Sequence, residues 1–319
     1  MRISFAPLEG ITGRVYRSIH RTMFPGLDAY YAPFFAPTGD SPLTGRVLAE
    51  LDPERNPGVP LVPQLLTNRA EDFIAAARSL RELGYQEINL NLGCPSGTVT
   101  AKGKGAGFLQ NPSALDLFFQ KVFNAEPDLC LSVKTRVGWA QEAEWPELLE
   151  IFNRYPLQTL IIHPRVRQDF YREPVRLSLF DYAVDHCTLP LCYNGDLTSP
   201  ADHETLSVRF PKVRHWMLGR GLIADPSLGR QLQGGPRLSK EELRTFLDRI
   251  LEAYQETLSG ERHVLGKMKE LWFYHAALFT DPARHLKAIR KAKTLTDYRF
   301  AADALLRDCP LNPAGQFRP

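Results

Sequence analysis

The stretch of sequence that decides the fold is Asn89-Leu90-Asn91-Leu92-Gly93-Cys94-Pro95. With Ile88 before it, this stretch alternates apolar and polar residues and then stops at a glycine, a cysteine and a proline. Such a pattern is typical of a buried strand that ends in a turn. It therefore predicts that Cys94 lies at the C-terminal end of a strand, which is where an α/β barrel places its reactive groups.

Short apolar segments of the same kind alternate with helical patterns through most of the chain. Eight candidate strands result: Ile3–Ala6, Ala29–Ala32, Leu61–Gln64, Glu87–Asn91, Leu131–Arg136, Thr159–His163, Leu189–Tyr193 and His215–Leu218. Eight such βα units favour a TIM (β/α)8 barrel over an open, doubly wound sheet. An open sheet would more often need a glycine-rich dinucleotide loop after its first strand, and here that strand is followed by residues 7–10, Pro-Leu-Glu-Gly.

The pattern changes after Gly234-Gly235-Pro236, where strand signals stop and helical periodicity takes over. Residues 239–242, Ser-Lys-Glu-Glu, resemble a capping box that opens a helix. A second helix is expected near residues 262–279, and a third after Pro282. We therefore expect a barrel over residues 1–235, followed by a small all-helical domain over residues 236–319.

Composition limits the possible classes of protein. The chain has 319 residues, of which 44% are apolar and 24% charged, as is typical of a globular protein with a sizeable core. It has no apolar run of about 18 residues, so no membrane span is expected, and its first residues do not have the pattern of a secretory signal. Five cysteines without a CxxC pair favour free thiols in a reducing cytoplasm over a disulfide framework or a zinc site.

Positive charge is concentrated in one segment, although the net charge is only +3. Residues 262–293 contain eight basic and two acidic residues. The basic residues are Arg262, Lys267, Lys269, Arg284, Lys287, Arg290, Lys291 and Lys293. This distribution fits a docking site for a polyanion, and it fits a solvated helix surface equally well. Charge alone does not decide between the two interpretations.

Polar residues follow nearly every predicted strand at its C-terminal end. Along the chain these groups are Glu9, Gln64, Asn91 with Cys94, Lys134 with Arg136, His163 with Arg165, Asn194-Gly195-Asp196, and Gly219-Arg220-Gly221. Each group alone could be a solvated residue at the rim of a barrel, but together they predict one site. No His/Asp set with the spacing of metal ligands occurs among them, so we expect no metal.

The last two groups follow the seventh and eighth predicted strands, where barrels that bind phosphorylated cofactors place their phosphate site. Glycine lets backbone N–H groups approach a phosphate closely, and Arg220 adds a guanidinium fork that suits it. Either glycine motif alone could be a tight turn. Combined with Gln64 and Lys134, which can contact a flavin ring and place positive charge near its N1 atom, they suit flavin mononucleotide (FMN). Cys94 is then the candidate for the proton that accompanies a hydride.

These residues carry a resemblance to the tRNA-dihydrouridine synthases along essentially the full length of the chain. The matching segments are Ala6–Gly10, Gln64, Asn91–Ser96, Gly103–Gly107, Val133–Arg136, His163, Asn194–Asp196 and Gly219–Gly221. The family consists of oxidoreductases with a barrel followed by a helical RNA-binding domain, so both parts of the chain match. The opening segment and the length are most similar to the bacterial subfamily C type, which modifies the D-loop of tRNA.

The resemblance implies a role for each matching residue. Pro7, Leu8, Glu9, Gln64 and Lys134 would contact the flavin, and the ribityl-phosphate side would be held by His163, Asn194, Gly195, Asp196, Gly219 and Arg220. Asn91, Arg136 and Arg165 would lie on the substrate side. Cys94 would protonate uracil C5 while hydride passes to C6, and NADPH would reduce the flavin beforehand. The basic residues of segment 262–293 would contact tRNA phosphates, and nothing indicates an obligate protein partner.

Two positions depart from the family pattern, and two other functions compete with it. Asn89 stands where the family usually has aspartate, and Pro164 stands where glycine is common. One rival function is a flavin dehydrogenase that acts on a free pyrimidine or dihydroorotate, which would not need the basic helical part. The other is a non-catalytic RNA-binding protein with the same fold, which would hold no flavin.

Overall fold

The computed structural model describes residues 1–37, 39 and 43–318. Nine parallel strands form one sheet in the order β3-β2-β1-β9-β8-β7-β6-β5-β4. The strands are β1 (Arg2–Phe5), β2 (Ala29–Tyr31), β3 (Leu61–Val62), β4 (Gln64–Leu65), β5 (Glu87–Leu92), β6 (Cys130–Arg136), β7 (Thr159–His163), β8 (Leu191–Tyr193) and β9 (His215–Leu218). The two outer strands, β3 and β4, follow each other directly in the chain, so the sheet closes into a barrel and confirms the predicted TIM fold.

The third predicted strand, Leu61–Gln64, is interrupted at Pro63 because proline has no N–H to donate to a neighbouring strand. On one side of Pro63, β3 pairs with β2, and on the other side β4 pairs with β5. The Pro63 carbonyl still accepts a hydrogen bond of 2.9 Å from the N–H of Asn89. A bridge between Phe35 and Leu65 completes the ring. Eight predicted strands and nine observed ones therefore describe the same barrel.

Helices surround the barrel. They are α1 (Arg14–Met23), α2 (Gly45–Leu51), α3 (Ala70–Glu82), α4 (Gly97–Thr100), α5 (Pro112–Ala125), α6 (Trp145–Asn153), α7 (Leu177–His186), α8 (Pro200–Arg209), α9 (Arg220–Ala224) and α10 (Leu228–Gln231). Short 3-10 helices cover Pro53–Arg55, Gly105–Gln110, Glu142–Glu144 and Arg167–Asp169. The barrel interior holds its own apolar cluster, separate from the larger core beneath the helices, formed by Ala6, Ala29, Tyr31, Val62, Ile161, Cys192 and Met217.

Four longer helices follow: α11 (Lys240–Thr257), α12 (Glu261–His275), α13 (Ala283–Lys291) and α14 (Leu295–Asp308), with a 3-10 turn at Ala276–Leu278. The predicted capping box is present, since the Ser239 hydroxyl accepts from the N–H of Glu242, 3.1 Å away, and the Glu242 carboxylate accepts from the N–H of Ser239, 3.0 Å away. The change from strands to helices falls where it was expected, and the division into two domains at residue 235 stays a prediction.

The helical part packs tightly against the barrel. On α11, the ring of Phe246 lies 5.4 Å from that of Tyr16 on α1. On α12, the buried His275 ring shares a 3.0 Å hydrogen bond with the carbonyl of Ala224 at the end of α9. One continuous apolar core runs through both parts. Within the described residues, no helix combines the length and the apolar character needed to span a membrane.

Candidate active site

A cavity of about 370 Å³ lies at the C-terminal ends of the strands. This volume is in the range of pockets that hold small-molecule ligands. Nine of the eleven predicted cofactor residues line it: Pro7, Leu8, Lys134, His163, Asn194, Gly195, Asp196, Gly219 and Arg220. Glu9 is exposed beyond its edge, and Gln64 is buried in the barrel wall. The structure thus brings together in one cavity residues from loops that are far apart in the chain.

At one end of the cavity, the loops after β8 and β9 touch backbone to backbone. A Cβ atom built on Gly221 would lie 2.2 Å from the carbonyl oxygen of Leu197 and 2.8 Å from the Cα of Thr198, so only glycine fits. Among the described residues, no acceptor takes the N–H of Gly195 or of Asp196. Free backbone N–H groups beside a close glycine contact suit the binding of an anion.

The carboxylate of Asp196 holds two arginines at this end. It accepts from Arg165 Nη2 at 2.5 Å and from Arg220 Nη2 at 3.0 Å. The Arg220 guanidinium also lies 4.5 Å from the ring centre of Tyr171. Because Asp196 uses only one of the five N–H groups of Arg220, the others stay available at the edge of the cavity. We call this end of the cavity, formed by residues 194–198 and 219–221, the phosphate side.

Lys134 and His163 stand on neighbouring strands in the middle of the site. Burial, together with the nearby charge of Arg136, lowers the pKa of Lys134 to about 8. No described residue accepts a hydrogen bond from its ammonium group, which therefore remains free for a ligand. Burial, followed by the charges of Arg136 and Lys134, lowers the pKa of His163 well below its ordinary value. The neutral ring accepts from Arg165 Nη1 at 2.9 Å through Nε2, so Nδ1 carries the proton.

The opposite side of the barrel mouth carries Cys94. Asn91, at the end of β5, accepts from the N–H of Gly93 at 3.0 Å and from the N–H of Cys94 at 2.9 Å through its side-chain oxygen. An asparagine side chain that bonds the backbone in this way builds a tight turn locally. The turn fixes the direction in which the thiol leaves the strand. We call residues 91–96 the thiol side.

The carbonyls of the thiol side are held as firmly as its N–H groups. Arg136 Nε donates to the carbonyl of residue 93 at 3.0 Å, and Arg167 Nε donates to that of residue 95 at 3.1 Å. The carbonyl of Cys94 itself accepts from the N–H of Ala106 at 3.1 Å. Gly105 comes so close that an added Cβ would lie 2.9 Å from this carbonyl oxygen. The loop 103–107 thus packs against the turn that carries the thiol and is hydrogen-bonded to it.

A buried row of polar side chains supports Asn91 from below. Asn91 donates to Gln64 at 2.8 Å, Gln64 donates to Asn89 at 2.7 Å, and Asn89 donates to Ser132 at 2.8 Å. The amide of Asn89 can both accept and donate, so it joins Gln64 to Ser132 without a charge in the barrel wall. This row accounts for Asn89, and it also explains why Gln64 does not line the cavity.

The environment of Cys94 keeps its thiol protonated. Burial raises the pKa of Cys94 above its ordinary value, the backbone N–H of Ser96 opposes this effect, and the carboxylate of Glu9 adds to it. The thiol therefore holds its proton at neutral pH. A group in this state can act as a general acid, whereas it would be a poor nucleophile.

Four residues that were expected to contact substrate or tRNA have their polar groups engaged elsewhere. Arg136 and Arg165 are fully buried, and they donate to backbone carbonyls and to Asp196, so both position loops and do not face the cavity. Lys267 donates to the carbonyl of Gly10, and Lys269 donates to that of Ala292 at 2.5 Å. These two lysines join elements within the protein, and the contact of the eight basic residues with tRNA phosphates stays a prediction.

The other predicted basic residues form an exposed surface. Arg262, Arg284, Lys287, Arg290, Lys291 and Lys293 are exposed, and none of them forms an ion pair with a described residue. We call these six residues the basic face. Since Lys267 ties α12 to the loop after β1, the helices that carry this face are anchored at the mouth of the barrel.

Sequence reasoning missed a group of residues that complete the cavity. Tyr171, Phe273, Tyr274, Phe317 and Arg318 all line it. Tyr171 lies in the loop between β7 and α7, and the other four come from the helical part and from the segment after it. No local pattern marks them, because they reach the cavity only through the packing of α12 against the barrel.

The chain is similar to known proteins over nearly its whole length. The family model described as dihydrouridine synthase matches residues 4–299. A "probable tRNA-dihydrouridine synthase 1" of Synechocystis sp. is 25% identical over 316 residues, covering 95% of this chain and 88% of that protein. A "tRNA-dihydrouridine(16) synthase" of Escherichia coli O157:H7 is also 25% identical, covering 96% and 98%.

Among solved structures, a 2-naphthoyl-CoA reductase complex superimposes with a TM-score of 0.56 at 12% identity. The match covers 74% of this chain and 50% of that one. At this level of identity the similarity concerns the fold alone.

Proposed function

The chain belongs to the dihydrouridine synthase family, and on this premise we propose that it reduces a uridine of tRNA to 5,6-dihydrouridine, with FMN as cofactor and NADPH as reductant. The observation that carries the proposal is the position of the Cys94 thiol, which a hydrogen-bonded turn fixes at the same barrel mouth as the cavity. A reaction that adds a hydride and a proton across a double bond needs such a donor beside a redox cofactor.

The residues of the cavity fit FMN. The uncommitted N–H groups of Gly195 and Asp196, together with the free N–H groups of Arg220, would take the phosphate. The neutral His163 offers an Nδ1–H donor beside them. Lys134, whose ammonium has no partner in the described part of the chain, would place a positive charge near the ring. Ala6, Pro7 and Leu8 offer backbone and apolar contacts.

When bound, FMN would supply the hydride for C6 of uracil. Hydride addition at C6 would leave electron density on C5 and O4, so a proton would have to reach C5. Cys94 donates that proton from its thiol, and solvent restores it afterwards. The donor is kept in place through the backbone of its turn, which is held by Asn91, Arg136 and the loop at residues 103–107.

A uridine within a folded tRNA has to leave its stack to reach the barrel mouth. The basic face would hold the surrounding phosphates through its six exposed side chains. One full-length relative is named for position 16 of tRNA, which makes uridine 16 the first candidate target.

The proposal is tested with the purified protein, FMN, NADPH and tRNA transcribed without modifications. We expect dihydrouridine to form at one position, which mass spectrometry of nuclease fragments identifies. Free uridine, uracil and dihydroorotate serve as competing substrates in parallel reactions. Rapid turnover of one of these, with tRNA left unchanged, would favour the free-pyrimidine dehydrogenase. A protein that binds no flavin and reduces none of these substrates would favour the RNA-binding protein without catalysis.

A further inference from the structure

Residues 312–318, which we call the closing segment, fold back from the helical part onto the phosphate side of the cavity. The segment is firmly anchored at its start. The N–H of Asn312 donates to the carbonyl of Leu278 at 2.8 Å, next to an antiparallel bridge between Phe279 and Leu311. The closing segment is therefore attached to the 3-10 turn that follows α12 and continues from there towards the barrel.

Arg237 holds the middle of the closing segment. Its guanidinium donates to the carbonyls of Asn312 and Pro313 at 2.7 Å each, and to that of Gly315 at 2.8 Å. Gly315 is required in this turn, because an added Cβ would lie 2.6 Å from the carbonyl oxygen of Ala277. Three charge-assisted hydrogen bonds from one side chain give this segment a defined path.

Phe317 ends that path in a buried position against the cavity. Its side chain is 7% exposed, and its ring centre lies 5.3 Å from that of Tyr274. The guanidinium of Arg220 lies 5.8 Å from the Phe317 ring centre. Phe317 and its neighbour Arg318 both line the cavity. An aromatic ring thus stands beside the arginine that is placed to take a phosphate, and a second arginine lines the same cavity.

The groups of this arrangement would interact with the phosphate of a ligand more than with a flavin ring. A ring that covers Arg220 keeps water away from its guanidinium, and a charge interaction strengthens where water is excluded. Arg318 adds a positive charge that an unphosphorylated ligand would not use. We infer that the closing segment, through Phe317 and Arg318, makes the cavity selective for a flavin that carries a terminal phosphate. This inference rests on the proposed function, since it assumes a flavin in the cavity.

The test measures dissociation constants for FMN and for riboflavin, which lacks the phosphate, by the change in flavin fluorescence on binding to the flavin-free protein. In Phe317→Ala we expect binding of FMN to weaken about tenfold and binding of riboflavin to change less than about threefold. Arg318→Gln, at an exposed position that does not endanger folding, should show the same selective loss. Phe300→Ala, which removes a ring that is 78% exposed on α14, is the matched control.

The outcomes separate the two proposals. If the parent protein prefers FMN to riboflavin and both variants keep that preference in full, the closing segment has no part in phosphate recognition. If Phe317→Ala weakens both flavins equally while Arg318→Gln changes neither, Phe317 only completes the packing and the inference is wrong. If the parent protein binds neither flavin, the proposed function itself fails.

Discussion

The two sides of the barrel mouth are built by opposite means. On the thiol side, side chains hold the backbone, and a side chain is presented: Asn91 and Arg136 fix the turn from which Cys94 projects. On the phosphate side, backbone packs on backbone at Gly221, and the groups presented are N–H groups of the main chain. On the thiol side, replacing the side chain of Cys94 should leave the turn intact. On the phosphate side, no added atom should be tolerated at Gly221, because the close contact of the two backbones is what positions the N–H groups.

The largest expected effect tests the thiol side. In Cys94→Ala the turn should keep its shape, since all its hydrogen bonds involve the backbone of residues 93–95. Loss of the general acid should lower the rate of dihydrouridine formation by about 10²- to 10⁴-fold, while flavin content stays unchanged. Cys187→Ala, which removes another partly buried thiol, is the control. Full activity in Cys94→Ala would show that the proton comes from elsewhere.

A single methyl group tests the phosphate side. In Gly221→Ala the new Cβ would clash with the Leu197 carbonyl, so the loops after β8 and β9 have to separate. We expect FMN affinity to fall about 10- to 100-fold, the range that follows from overpacking a rigid contact. Gly266→Ala is the control, because a Cβ at that position on α12 meets open space. Unchanged FMN affinity in Gly221→Ala would mean that the two loops do not form the phosphate site.

Lys134 lies between the two sides, and the variant Lys134→Met tests its charge. The pKa of Lys134 is about 8 in the folded protein and about 10.5 in an unfolded chain, so at pH 7 folding forces a charge into an unfavourable place. Lys134→Met should therefore stabilise the flavin-free protein by about 1–3 kcal/mol at pH 7, as measured by urea unfolding.

The stability advantage of Lys134→Met should decrease as the pH rises above 8. Between pH 8 and 10.5 the folded state has already released the proton that the unfolded state still holds, so the cost of Lys134 declines as the pH rises. The advantage of Lys134→Met over the parent protein should shrink over the same interval. An advantage that is constant from pH 7 to pH 10.5 would show that packing, and not charge, causes it.

The smallest effect is expected away from both sides, on the basic face. Lys287→Glu combined with Lys291→Glu should weaken tRNA binding about tenfold at moderate salt and leave flavin content unchanged. The double variant Lys121→Glu with Lys212→Glu makes the same change in net charge on the barrel and is the control. Filter binding at two salt concentrations compares them. Equal losses in both variants would mean that only the total charge matters and that the basic face is a solvated helix surface.

The thiol side was easier to predict from the sequence than its supports. Alternation around Leu90 and the break at Gly93 are local signals, so they place Cys94 at a strand end. Pro63 is also visible in the sequence, but apolar residues on both sides of it favour one continuous strand and conceal the split. The role of Arg136 was hidden, since its acceptors at Val166 and Phe170 are at least 30 residues away along the chain.

On the phosphate side too, local sequence signals predict some residues and miss those that depend on distant contacts. The glycines after β8 and β9 mark it in the sequence, because a close approach of two backbones requires a specific residue type. Phe317 carries no such mark. It reaches the cavity only because α12 packs on the barrel and Arg237 holds the closing segment, and both facts depend on contacts between distant parts of the chain.

The joint between the helices and the barrel has a consequence for how a target would be chosen. Phe246 is packed into the rings of α1, and Lys267 is bonded to the loop after β1, so the basic face stands at a set distance from Cys94. Under the proposed function, a tRNA held by the basic face would bring to Cys94 only the nucleotide at the matching distance. The protein would then select its uridine by distance along the tRNA.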